Sequence, residues 1–277
     1  MHSDPSFFVR FWGVRGSIAC PGPDYTRYGG NTACLEVGCD GRVLIFDAGT
    51  GLRELGKKID SHGSVDADIF FTHAHLDHVG GLPFFSSAFK SENKFRLWSG
   101  HLENNLTMKD VLESLMSNPL FPVPMEVFQA DLNFQNFIPG DEISLTDKII
   151  IRTAPLNHPQ GAVGYRVDYK GKSICYISDT EHYSVRIDEN IQKLVNGADV
   201  VIYDATYTDE EYGNYVGWGH STWQEGVKLC DAAGVKQLIL FHHDPSHDDC
   251  EMDLIASNAE NTRPGTIVAK EGLVVAP

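Results

Sequence analysis

The chain has 277 residues, 42% of them hydrophobic and 22% charged, which is enough apolar mass for one large core or two fused layers. No apolar run reaches the ~18 to 20 residues that a membrane helix needs, so a helical membrane protein is excluded. The formal net charge of −16 repels phosphate backbones at long range and argues against a large nucleic-acid footprint, although a site holding cations reverses the sign locally.

The opening Met1–Ser6 lacks a basic stretch followed by an apolar one. It does not read as a signal peptide, and a cytoplasmic protein is expected. Phe7–Trp12 reads as a strand ending at Gly13, and Thr32–Val37 and Arg42–Phe46 as a strand pair turning between Gly38 and Gly41. Leu52–Asp60 suits a helix and Ala67–Phe71 a short apolar strand. Gly81–Gly140 is less regular and is expected as a pocket-forming insertion within a single domain spanning residues 1–277. Inside it, Asn105–Met116 carries apolar residues at helical spacing. Asn118–Pro124 holds three prolines and suits neither a helix nor a central strand. Strands return at Lys148–Thr153, Val163–Tyr169, Ser173–Ile177, Val200–Tyr203 and Gln237–Phe241, with helical stretches at Val185–Gly197 and Thr222–Ala233. The six cysteines form no CxxC pair and are expected as buried, reduced thiols.

Four of these strands run directly into a residue able to bind metal. Ile69–Phe71 leads to His73, Ile174–Ile177 to Asp179, Val200–Tyr203 to Asp204 and Leu238–Phe241 to His242. Strand ends converging on one rim are where α/β proteins place their chemistry. Thr72-His73-Ala74-His75-Leu76-Asp77-His78 is the densest signal. Imidazole and carboxylate suit zinc, manganese or iron. A tight loop there would turn His73 and His75 one way and Asp77 and His78 another, offering two adjacent metal sites. The competing explanation, a polar surface loop, needs chance to gather three of only 12 histidines within six residues. His158 and Asp179, each at a strand end, would alone read as a structural histidine and a turn residue; the cluster upstream changes that. Asp47 is either a turn residue before Gly49 or an acceptor that orients a ligand histidine.

HxHxDH at 73–78, with His158, Asp179 and His242, resembles the metallo-β-lactamase superfamily. Trp12–Ser17, Arg27–Thr32, Ile45–Gly49, Asp204–Tyr207 and Gly219–Thr222 are similar to its branch of tRNase Z-like enzymes and small phosphodiesterases. The resemblance implies an α/β fold, a four-layer αβ/βα sandwich of two mixed β-sheets with helices on the outer faces. It implies two divalent ions, with zinc expected and manganese or iron compatible. His73, His75 and His158 would hold one ion, Asp77, His78 and His242 the other, and Asp179 would bridge them. His242 is preferred to His243 because it follows its strand at once. A homodimer is implied by the resemblance alone.

Two such cations hold a hydroxide at neutral pH, and Asp77 would aim it. His220 is then the candidate general acid; the resemblance implies that role for the histidine of this motif with Asp204 beside it, which would keep the imidazole protonated. Otherwise His220 is exposed and Ser221 or Thr222 merely caps the following helix. The expected partner is a small or cyclic nucleotide-like phosphodiester, with no membrane involved. A carboxylic ester, thioester or lactone is the alternative. Processing of tRNA 3′ ends is less favoured, because typical members insert an arm between the third histidine and the bridging aspartate, and His158 and Asp179 are only 21 positions apart here. Phe84, Phe85, Trp98, Phe121 and Pro122, or Tyr207, Tyr212, Tyr215 and Trp218, are candidate walls for an aromatic group.

Overall fold

The computed structural model describes residues 5–61 and 63–277; Met1–Asp4 of the opening stretch lie outside the described residues. Among the described residues the strands are β1 (Phe7–Gly13), β2 (Cys34–Cys39), β3 (Arg42–Phe46), β4 (Asp66–Phe70), β5 (Lys94–Ser99), β6 (Asp131–Asn136), β7 (Glu142–Thr146), β8 (Ile149–Leu156), β9 (Ala162–Tyr169), β10 (Lys172–Ile177), β11 (Val200–Asp204), β12 (Gln237–Phe241), β13 (Ile267–Val268) and β14 (Val274–Val275). The helices are α1 (Leu52–Asp60), α2 (Leu76–Val79), α3 (Met108–Leu115), α4 (Glu189–Val195), α5 (Asp209–Tyr212), α6 (Trp223–Ala232) and α7 (Asp249–Thr262).

The strands form two seven-stranded sheets, β14-β1-β2-β3-β4-β5-β6 and β13-β12-β11-β10-β9-β8-β7. Each is mixed. In the first, β3 to β6 run parallel; in the second, β10 to β13 do. The apolar runs of the sequence follow from burial on both faces. On β11, Val200 and Ile202 face the other sheet while Val201 and Tyr203 face the helices; Ile239 and Phe241 alternate with Leu238 and Leu240 on β12 in the same way. A core of Phe11, Leu35, Phe46, Phe70, Tyr165, Tyr176 and Phe241 fills the space between the sheets. α1 and α3 cover the outer face of the first sheet, and α4, α6 and α7 that of the second. This is the expected four-layer sandwich.

Residues 81–140 depart from the expectation of an insertion. They supply β5 and β6, which extend the first sheet, and α3, opened by a capping box between Thr107 and Asp110. The expected aromatic wall is also dispersed. Phe85 lies in the outer core, Trp98 stacks on Phe70, and Phe84 meets Phe121 edge to face. All six cysteines are free, five buried as expected and Cys250 exposed.

Candidate functional site

The parallel strands point their carboxyl ends at one rim, and each delivers a polar side chain there. Asp47 follows β3, His73 follows β4, Asp179 follows β10, Asp204 closes β11 and His242 follows β12. Asp47, Asp179 and His242 all have positive φ, near 60°. Non-glycine residues held there are strained, and such strain gathers at functional sites.

The ligand candidates meet. Nitrogen or oxygen atoms of His73, His75 and His158 lie within 4.8 Å of one another, as do those of Asp77, His78, Asp179 and His242. Asp179 reaches both groups: Oδ1 is 3.3 Å from His242 Nε2 and 3.8 Å from His73 Nε2, and Oδ2 is 3.2 Å from His78 Nε2. His242 is the histidine in the cluster. His243 turns away and donates from Nε2 to the Ala269 carbonyl.

Each histidine is anchored on its outer nitrogen. His78 Nδ1 donates to Asp47 Oδ2 at 2.8 Å, His158 Nδ1 to the Gly219 carbonyl at 2.8 Å, and His75 Nε2 to Gln160 Oε1 at 2.8 Å. His242 Nδ1 donates to Thr206 Oγ1 at 3.0 Å, and His73 Nδ1 to Thr72 Oγ1 at 3.0 Å. With the outer nitrogens as donors, the inner nitrogens are left to offer their lone pairs to a metal ion, the arrangement that metal-binding histidines use. Glycines make room for the rings. A Cβ on Gly16 would lie 2.3 Å from the His242 ring, and one on Gly219 2.4 Å from His158 Nδ1.

The residues fit a pair of divalent cations. His73 Nε2 is buried without a hydrogen-bond partner, and His78 Nε2 and His242 Nε2 face each other at 3.3 Å. Burial works against charge on Asp77 and Asp179, yet His78 and His242 hold both carboxyls well below the usual range. Burial likewise opposes a charge on His78, and Asp179, Asp77 and Asp47 overcome it, raising its pKa. The carboxylates that favour positive charge on His78 would equally favour metal ions there.

Asp47 accepts from the Thr72 backbone N–H and hydroxyl, from His78 and from Tyr176 Oη, which settles it as an acceptor beneath the cluster rather than a plain turn residue. Asp47→Asn should lower metal affinity about 10- to 100-fold, measured by chelator competition on folded protein. Unchanged affinity would remove Asp47 from this role.

His220 lies beside the cluster, its ring 4.9 Å from that of His242 and 5.3 Å from that of His158. Its Nδ1 donates to Asp204 Oδ2 at 3.0 Å. Burial would lower its pKa, but Asp204 prevails and raises it to about 9. Thr222 does cap α6 by accepting from the Glu225 backbone N–H, yet His220 is buried rather than exposed. Tyr207 stacks on Tyr215, and Tyr215 packs edge-on against Trp218, beside His220.

Two residues outside the expected set also lie beside the cluster. Leu97-Trp98-Ser99-Gly100-His101 repeats the pattern of an apolar strand running into a histidine, and His101 lies near the ligand loop, its ring 6.5 Å from that of His73. Burial pushes its pKa down to about 4. Glu181 accepts from the Gly217 and Gly219 backbone N–H groups and from Tyr212 Oη, so it ties down the loop that carries His220.

Residues 42–243 match the family model described as a β-lactamase superfamily domain. A ribonuclease Z of Gemmatimonas aurantiaca is 23% identical, over 95% of this chain and 94% of its own. Among solved structures, the metallo-β-lactamase fold protein YhfI of Bacillus subtilis superposes with a TM-score of 0.72 at 16% identity, covering 99% of this chain and all of its own. A diphosphatase of the PhnP family superposes with a TM-score of 0.70 at 18% identity, covering 98% of both chains.

Proposed function

From the premise that this chain belongs to the metallo-β-lactamase superfamily and is a metal-dependent hydrolase, we propose that it is a phosphodiesterase acting on a small nucleotide-like or cyclic diester. The observation that carries this reading is the His220–Asp204 pair, bonded at 3.0 Å beside the ligand cluster. An alkoxide is a poor leaving group and needs a proton, which His220 would give.

Two cations, one on His73, His75 and His158, the other on Asp77, His78 and His242, with Asp179 reaching both, would acidify water and polarise the phosphoryl group. The imidazole–carboxylate set fits zinc, and also manganese or iron. Asp77 is held by the Ser17 backbone N–H, which donates to Oδ2 at 2.7 Å, and would orient the attacking water. Asp204 is fixed by Thr180 and Thr206 and would keep the His220 proton on Nδ1 while Nε2 serves the leaving oxygen.

The name of the Gemmatimonas relative favours a second reading, endonucleolytic RNA processing. Two observations weigh against it: the stretch between His158 and Asp179 is taken up by the β9–β10 hairpin, which lies wholly within the sheet, and the net charge is −16. Bis(p-nitrophenyl) phosphate should be cleaved, and chelation should stop it. A panel of 2′,3′- and 3′,5′-cyclic nucleotides, a lactone, a thioester and a precursor tRNA separates the readings. Turnover confined to the lactone or thioester, or preference for the tRNA, would overturn the proposal.

A further inference from the structure

A cavity of about 700 Å³ opens beside the ligand loop, with His73 and His75 in its wall. A group bound at that side of the cluster therefore extends into it. Leu102, Leu106, Val111 and Pro159 give the rest of the wall an aliphatic part, beside the polar side chains of Glu103, Asn104 and Gln160, the last already bonded to His75. Neither lysine nor arginine is among its described lining residues. Away from the ion that His73 and His75 would hold, a second phosphate in the cavity would meet Glu103 and no lysine or arginine, an arrangement that disfavours it.

His101 completes the wall. It is 8% exposed, and neither ring nitrogen has a hydrogen-bond partner. Leaving polar atoms buried and unpaired destabilises a fold, and a leucine of similar size would avoid that loss. The imidazole offers one N–H and one lone pair. His220 is not part of this wall, so the oxygen it protonates points elsewhere and the cavity faces the other substituent on phosphorus.

We propose that this cavity receives the ester substituent retained on phosphorus, that it selects an uncharged group with a hydrogen-bonding edge, a nucleoside rather than a second phosphate, and that His101 is the polar partner of that edge. The inference rests on the phosphodiesterase reading of the same site. It goes further in fixing where the retained group lies and what charge it carries.

Three esters with one leaving group test it: methyl p-nitrophenyl phosphate, thymidine 5′-(p-nitrophenyl phosphate), and the same thymidine ester bearing a 3′-phosphate. The thymidine ester should have the highest kcat/KM, and the added phosphate should lower it by about tenfold or more. Glu103→Lys, on an exposed position, should narrow that gap. His101→Leu should cut the thymidine-to-methyl ratio of kcat/KM about tenfold through KM, while raising the Tm. A side chain that served only the fold would move Tm the other way and leave the ratio alone. If all three esters are hydrolysed with equal kcat/KM, or the 3′-phosphate improves turnover, the pocket assignment is wrong and the phosphodiesterase reading stands. If none is hydrolysed, it is the phosphodiesterase reading that fails.

Discussion

Asp179→Ala should strip the protein of most of its metal and abolish turnover. The reason is geometric. Asp179 is the carboxylate that touches both ligand groups, with Oδ1 toward His242, His73 and His158 and Oδ2 toward His78. Without it, the histidine group and the Asp77 group have no common member. Metal ions supply several kcal/mol of charge stabilisation in the transition state, so the loss should be about three orders of magnitude or more in kcat/KM. The assay is bis(p-nitrophenyl) phosphate, whose leaving group needs no acid, so that the metal contribution is read apart from His220. Elemental analysis of the same sample should find about two ions per wild-type chain and fewer in the variant. A variant with full metal content and full activity would show that the cluster is not what hydrolyses the ester. Excess metal in the assay should restore part of the rate, because His73, His75 and His158 remain anchored through Thr72, Gln160 and Gly219.

The site was legible because its chemistry is packed into sequence positions that a fold must bring together. Strands buried on both faces read as apolar runs, and the residue just past each run had to lie at the sheet rim. That logic found His73, Asp179, Asp204 and His242. It reached Asp47 only as one of two options, because an aspartate before Ala48-Gly49 is also ordinary turn chemistry. The four donors gathered on its carboxylate come from the loop after β4, from α2 and from β10, and no local pattern announces contacts of that range. His101 follows the same strand-end rule, but the irregular pattern of the surrounding stretch masks the strand before it.

The fold was legible where packing is two-sided and less so where it is one-sided. β5, β6 and β7 went unseen. The outer strands β6 and β7 alternate exposed and half-buried positions, so their apolar signal is thin. α7 has 14 residues but buries only Asp249, Met252, Ile255 and Ala259, a narrow stripe among acidic and polar side chains. The first of the two candidate aromatic walls is dispersed for a related reason. Phe85 and Trp98 fill the core and its margin, and aromatic side chains are more often consumed by a core than left to a ligand.

His220→Ala should slow alkyl phosphodiesters far more than nitrophenyl ones. General acid catalysis contributes about 10²- to 10⁴-fold, and that factor applies only where the leaving oxygen needs the proton. A nitrophenolate departs unaided, so bis(p-nitrophenyl) phosphate should lose little, whereas a 2′,3′-cyclic nucleotide should lose the whole factor. Asp204→Asn is the poorer probe, because Asp204 also holds Thr206, which in turn accepts from the ligand His242. The pH profile gives an independent reading. Burial pulls the His220 pKa down and Asp204 overcomes it, to about 9; the acid is present below that pKa and lost above it. Two cations nearby favour the neutral imidazole and shift the value downward. The rate on the cyclic nucleotide should therefore fall on an alkaline limb at or below about pH 9, and His220→Ala should flatten that limb. Equal slowing of both substrate types, or an alkaline limb that survives in the variant, would mean that the proton reaches the leaving group by another route.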